Sequence, residues 1–128
     1  MDLLENRTNH PNIIKSAAAD SCVFESQTYH HSIIIPFNGE VMACDLISVD
    51  ELNQQIVQQL CDYHPEVIIL ATGSSIIFPT TELLDPLVKL NIGLEVLHNE
   101  AAARTFNILL AEDRKVVCLM LLADNNCV

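Results

Sequence analysis

Tryptophan is absent from this chain of 128 residues, and only two tyrosines and four phenylalanines are present. Half of the residues are nonetheless hydrophobic, so the core must be built mainly from aliphatic side chains. That content, with only 18% charged residues, supports a packed interior and excludes disorder along most of the length. The length suits one domain around one core. Basic residues are also scarce: six, against seventeen acidic ones, for a net charge of −11. A surface so acidic opposes nucleic acid and anionic lipid.

Several signatures are missing. Five cysteines occur, at positions 22, 44, 61, 118 and 127, an odd number with no C-x-x-C pair. Their spacing matches neither a zinc site nor a disulfide framework. Cys61 and Cys118 stand among apolar neighbours and read as buried thiols, which points to a reducing compartment. The N-terminus has no basic start followed by an apolar core, so no secretory signal is expected there. The apolar runs are too short to span a bilayer as helices. A soluble cytoplasmic protein of bacterial type, without an integral membrane segment, is the expectation.

What is present falls into an ordered pattern. Residues 1–19 read as a loosely held lead-in, 20–123 as the folded domain and 124–128 as a tail. Strand-like segments occupy Cys22–Phe24, Tyr29–Ile35 (ended by Pro36) and Glu40–Cys44, with Asn38-Gly39 as the hairpin turn. They form an antiparallel β-meander. Ser48-Val49-Asp50-Glu51 matches a capping box and starts a first helix that runs to His64-Pro65. Val67–Ala71 is a continuous apolar run, the mark of a strand buried on both faces. A second helical segment lies between Thr80 and Asn91, where Pro86 either sits in the first turn of a short helix or kinks a longer one. Gly93 reads as a turn or C-cap residue. Leu94–Leu97 is the next strand, Asn99 caps a third helix over Glu100–Leu110, and Lys115–Leu122 is the last strand. The alternation in the second half predicts parallel strands with right-handed crossovers, and with the front meander a mixed α/β domain.

Candidate chemistry centres on Thr72-Gly73-Ser74-Ser75, after the central strand. With one glycine and no lysine this is not a phosphate loop, and it lacks the second glycine of a nucleophile elbow. Its position at the carboxyl end of a parallel strand is nevertheless where open α/β sheets bind ligands. His98 ends the next strand and could share that edge. A Ser–His pair would suggest acyl hydrolysis, but no acid is clearly paired with it. The neighbouring His30 and His31, in one strand, point to opposite faces and cannot share a metal. A second polar group comprises Arg104, Thr105 and Asn107 on the third helix. Arg104 and Asn107, three apart, share a face. Glu112 and Arg114 can brace the turn into the last strand. No catalytic constellation, metal site or cofactor motif is complete.

Taken in order, Ala71-Thr72-Gly73, the run Ala102-Ala103-Arg104-Thr105-Phe106-Asn107-Ile108-Leu109, Glu112-Asp113-Arg114 and the early Pro36-Phe37-Asn38-Gly39-Glu40-Val41 resemble one family. This is the family of uncharacterised function that includes mitochondrial complex I assembly factor 3 and many small bacterial proteins. The chain departs from the family pattern at Ala71, which replaces a glycine, at Phe106, which replaces a tyrosine, and at Cys44, where tryptophan is frequent. The resemblance implies a single three-layer α/β domain with a mixed central sheet and no assigned enzymatic activity. It also implies action through protein partners. The expectation is a non-enzymatic interaction or assembly module. The alternative is a small-ligand-binding domain or weak hydrolase with its pocket at Thr72–Ser75. The aliphatic content also leaves room for an apolar patch and a homo-oligomer.

Overall fold

The computed structural model describes residues 10–123. The N-terminal part of the expected lead-in, residues 1–9, and the expected tail, 124–128, lie outside the described residues. Three short antiparallel strands come first: β1 (Ile14–Ala17), β2 (Cys22–Phe24) and β3 (Thr28–Tyr29). A five-stranded sheet follows, from β4 (Ile33–Ile35), β5 (Met42–Ala43), β6 (Val67–Ala71), β7 (Gly93–Leu97) and β8 (Val116–Met120). Its order is β5-β4-β8-β6-β7. β6 runs parallel to both neighbours, whereas β4 is antiparallel to β8 and to β5. The helices are α1 (Gln54–Cys61), α2 (Asp85–Lys89) and α3 (Asn99–Ala111), and 3₁₀ turns lie at Val49–Glu51 and Thr81–Leu84.

Alternation along the strands separates two cores. Ile33, Ile35, Val67, Ile69, Ala71, Val116, Cys118 and Met120 pack toward Ala102, Phe106 and Leu110 of α3 and toward the small sheet. Ile34, Ile68, Leu70, Val117 and Leu119 pack on the other side, with Val57, Leu60 and Cys61 of α1 and Leu87 of α2. The domain is therefore three layers of mixed α/β structure. β6 and β8 are buried at every position, because helices cover both faces of the sheet and strands flank both of their edges.

Several local expectations are corrected. Ile14–Ala17, inside the expected lead-in, forms β1 and pairs with β2. Its Ile14 joins the core, and burying that side chain is what holds the strand. Tyr29–Ile35 is not one strand. It divides into β3 and β4, which belong to different sheets, with His30 and His31 in the link. Asn38-Gly39 does not make a two-residue hairpin. β4 and β5 are joined across 36–41, and only Gly39 takes a left-handed φ, of 104°.

Ser48 makes no side-chain cap bond. Glu51 Oε1 accepts from Ile47 N at 2.7 Å, one residue early for a capping box. Leu52 takes ψ 135 and turns into the core, which interrupts the helix. The α-helix restarts at Asn53, whose Oδ1 accepts from Ile56 N at 3.0 Å. Pro86 lies in the first turn of a short α2, as one of the two alternatives required. The left-handed position after α2 is Asn91, at φ 59, and Gly93 instead begins β7.

Candidate functional site

The chain leaves β6 at Ala71 and turns at once. Ala71 O accepts from Leu121 N at 2.9 Å, and Thr72 N donates to Leu97 O at 3.0 Å, so both flanking segments hold the exit. Gly73 has φ 96. Nothing lies within 4 Å of where its Cβ would be. The glycine is thus needed for its backbone conformation rather than for close approach. Thr72 is buried, and its hydroxyl donates to Ser75 O and accepts from Ile77 N at 3.2 Å. One side chain in this way closes the loop that follows the strand. Ser74 and Ser75 are exposed.

The residue that organises this corner is Asn99, 1% exposed at the start of α3. Its Oδ1 accepts from Gly73 N at 2.9 Å, and its own N donates to Gly73 O at 2.8 Å. Its Nδ2 donates to Ala18 O at 2.9 Å and to Leu121 O at 3.0 Å. A single amide therefore joins the end of β1, the turn after β6, the exit of β8 and the helix. The sequence pattern assigns the helix cap to Asn99. The cap is His98, whose Nδ1 accepts from Ala101 N at 3.3 Å. An asparagine at a helix start ordinarily signals capping. Its further partners come from segments distant in sequence, and no local pattern announces them.

The His98 cap has a chemical consequence. With Nδ1 as acceptor, the neutral imidazole carries its proton on Nε2 and donates outward. It is then the wrong tautomer to take a proton at Nε2 from a serine. Among the described residues no hydrogen bond joins the Ser74 or Ser75 side chain to His98. Ser74 and His98 do line one recess of about 330 Å³, with Ala18, Ala19, Gly73 and Asn99. Glu100 completes it.

Asn107 lies two turns further along α3. Its Oδ1 accepts from Ile14 N at 2.9 Å, and its Nδ2 donates to Ile14 O at 2.8 Å. The amide pairs with the edge of β1 as another strand would. Asn99 and Asn107 are about 12 Å apart along the helix, and Ile14 to Ala18 spans about 13 Å of strand. The helix thus pins β1 near both ends. Arg104 is exposed and, with Asn107, lines a second recess of about 230 Å³. The turn residues and the Arg104–Asn107 group do not face each other across one cavity: they line two neighbouring recesses that share Glu100. Thr105 is half-buried. The Phe106 ring is fully buried, so a hydroxyl there would need a partner within the core.

Glu112 and Arg114 do not pair with each other. Glu112 is the C-cap residue of α3, whereas Arg114 Nε donates to Glu66 Oε1 at 2.7 Å. The hydrogen bond from Arg114, then that from the Lys115 amide, hold the Glu66 carboxyl below the ordinary range. Sequence reading missed Glu66 because its partner is 48 residues away.

Four cysteines are described, and all are buried and unbridged. Burial pushes the Cys22 thiol up to about 12 and raises Cys118 as well, so neither is a nucleophile in the folded state. Among the described residues, no group of three histidine, cysteine or acidic side chains could hold a metal ion. No helix of the described residues is long and apolar enough to cross a membrane.

Similar proteins sharpen the setting without supplying a reaction. Residues 14–121 match the family described as protein of unknown function DUF498/DUF598. A Xanthomonas campestris protein solved by NMR is 31% identical, with a TM-score of 0.75 over 85% of this chain and 84% of that one. A Bordetella pertussis protein described as a Mth938-like domain is 22% identical, with a TM-score of 0.76 over 91% and 92% of the two chains. The "13 kDa major membrane protein" of Francisella tularensis subsp. holarctica (strain LVS) is 21% identical over 94% of this chain and 99% of its own length.

Proposed function

This chain belongs to the DUF498/DUF598 family of proteins of unknown function, and from that premise we propose that it is a non-enzymatic protein-interaction module. The observation that carries the reading is the loop after the site turn. Ile76, Ile77 and Phe78 are consecutive and 48%, 48% and 72% exposed. Thr72 ties the loop at one end, and the buried Pro79 at the other. Three adjacent large apolar side chains held in water cost free energy that a docking partner recovers. In its finer form the module assists assembly of a larger complex, as the resemblance to the complex I assembly factor 3 group suggests, from a cytoplasmic position.

The test replaces Ile76, Ile77 and Phe78 together with serine. Crosslinked complexes are then captured from native cells, membrane fractions included. The expected result is loss of a stoichiometric protein partner, with unfolding free energy changed by less than about 0.5 kcal/mol, as for other exposed substitutions. Retention of every captured partner by the variant would overturn the reading.

A second reading is supported by the recess beside Ser74 and His98, which has room for a small polar ligand. The hydrolase form of that reading is disfavoured by the His98 tautomer and by the commitment of the Thr72 hydroxyl to its own loop.

A further inference from the structure

Six basic residues serve the entire chain, and two of them, Lys15 and Arg104, line the same recess between β1 and α3. Among the described residues neither makes an ion pair, whereas Arg114 is committed to Glu66. Their placement is built into the fold. β1 pairs with β2 through Ile14↔Phe24 and then Ser16↔Val23, so Lys15 is the extra residue of a β-bulge. A bulge re-aims a side chain out of the regular alternation. The residue before the bulge is held on both its N–H and its C=O by Asn107, one turn along α3 from Arg104. Glu100 and Arg104 have the spacing at which a helix ordinarily forms an ion pair, yet they make none, and both border the recess.

We propose that this recess is a binding site for a small monocarboxylate, with the Arg104 guanidinium as the planar fork and Lys15 as the second charge. Two cations against Glu100 leave one net positive charge facing the recess, which matches one carboxylate. The planar guanidinium fork meets the two coplanar oxygens of a carboxylate in parallel hydrogen bonds, and Glu100 at the rim offsets one of the two cations. The volume of about 230 Å³ equals that of about eight liquid waters at ~30 Å³ each, enough for an acid of a few carbons. The site is independent of the docking loop, and either assignment can fail alone.

The experiment is an NMR titration of the full chain with butyrate and, separately, with inorganic phosphate. Butyrate should shift the Lys15 and Ser16 amides and the Arg104 side-chain N–H, saturating in the millimolar range. Lys15→Gln and Arg104→Gln should each weaken it at least fivefold. Glu100→Gln should admit phosphate more tightly than the parent does. All three side chains are exposed, so the variants should keep the parent melting temperature. Shifts that do not saturate, or that survive Arg104→Gln, would overturn the site. Tighter saturation by phosphate than by butyrate in the parent chain would overturn its assignment to a carboxylate.

Discussion

Two asparagines on one helix illustrate how far burial decides what a side chain is worth. Asn99 is sealed, and Asn107 is half-buried at a strand edge. Truncating Asn99 to alanine strands Gly73 N, Ala18 O and Leu121 O. Only the Leu121 O contact is buried, while Gly73 N and Ala18 O border the recess and can turn to water. A buried group left without a partner costs about 1–3 kcal/mol, so Asn99→Ala should lose about 2–3 kcal/mol in denaturant unfolding. Asn107→Ala should lose about 1 kcal/mol, since water can reach the β1 edge. Equal losses would show that the Asn99 corner is hydrated. Glu66 supplies a pH test. Its folded-state carboxyl titrates below the ordinary glutamate value because Arg114 and the Lys115 amide bond to it. Its contribution is therefore present above that value and lost as pH falls through the depressed one. In acid unfolding, Arg114→Gln should flatten the fall in stability below about pH 4.5. The parent's acid limb persisting unchanged in the variant would place its cause elsewhere.

At the scale of elements, the start of α1 shows a local signal overruled. Ser48 and Glu51 have the residue types and spacing of a capping box, but Leu52 is drawn into the core between the 3₁₀ turn and the helix. Asn53 caps α1 instead. Asn53→Ala should therefore cost about 1 kcal/mol and Ser48→Ala a few tenths at most, measured by urea unfolding. A larger loss at Ser48 would restore the capping box. The break between β3 and β4 has a similar origin. Tyr29–Ile35 carries a plausible strand composition, but Tyr29 pairs with Cys22 while Ile33–Ile35 pair with β8. Which partner each half takes is a matter of long-range pairing, which local propensity does not encode.

At the scale of the molecule, the buried thiols report on global opening. Cys22 and Cys118 are fully buried in one core, and burial raises both thiols. A neutral, enclosed thiol reacts only when the protein opens. Alkylation of these two cysteines at pH 8 should then follow the unfolding free energy as urea is added. Fast labelling in native buffer would reveal a local opening between the small sheet and the main sheet. The net charge of −11 gives Lys15 and Arg104, without an ion pair among the described residues, their significance, because they stand out against an acidic surface.

The sequence by itself determined the layered α/β class. Its apolar runs at Val67–Ala71 and within Lys115–Leu122, separated by helical segments, can be buried only as parallel strands between helices. It also marked Gly73, since a lone glycine after a buried strand signals a turn. Only the tertiary structure decided what surrounds that turn. Asn99, Glu66 and Lys15 take their roles from partners or recess neighbours remote along the chain. Such contacts exist only after the sheet has closed, when burial makes an unpaired amide costly and strand register decides which side chains meet.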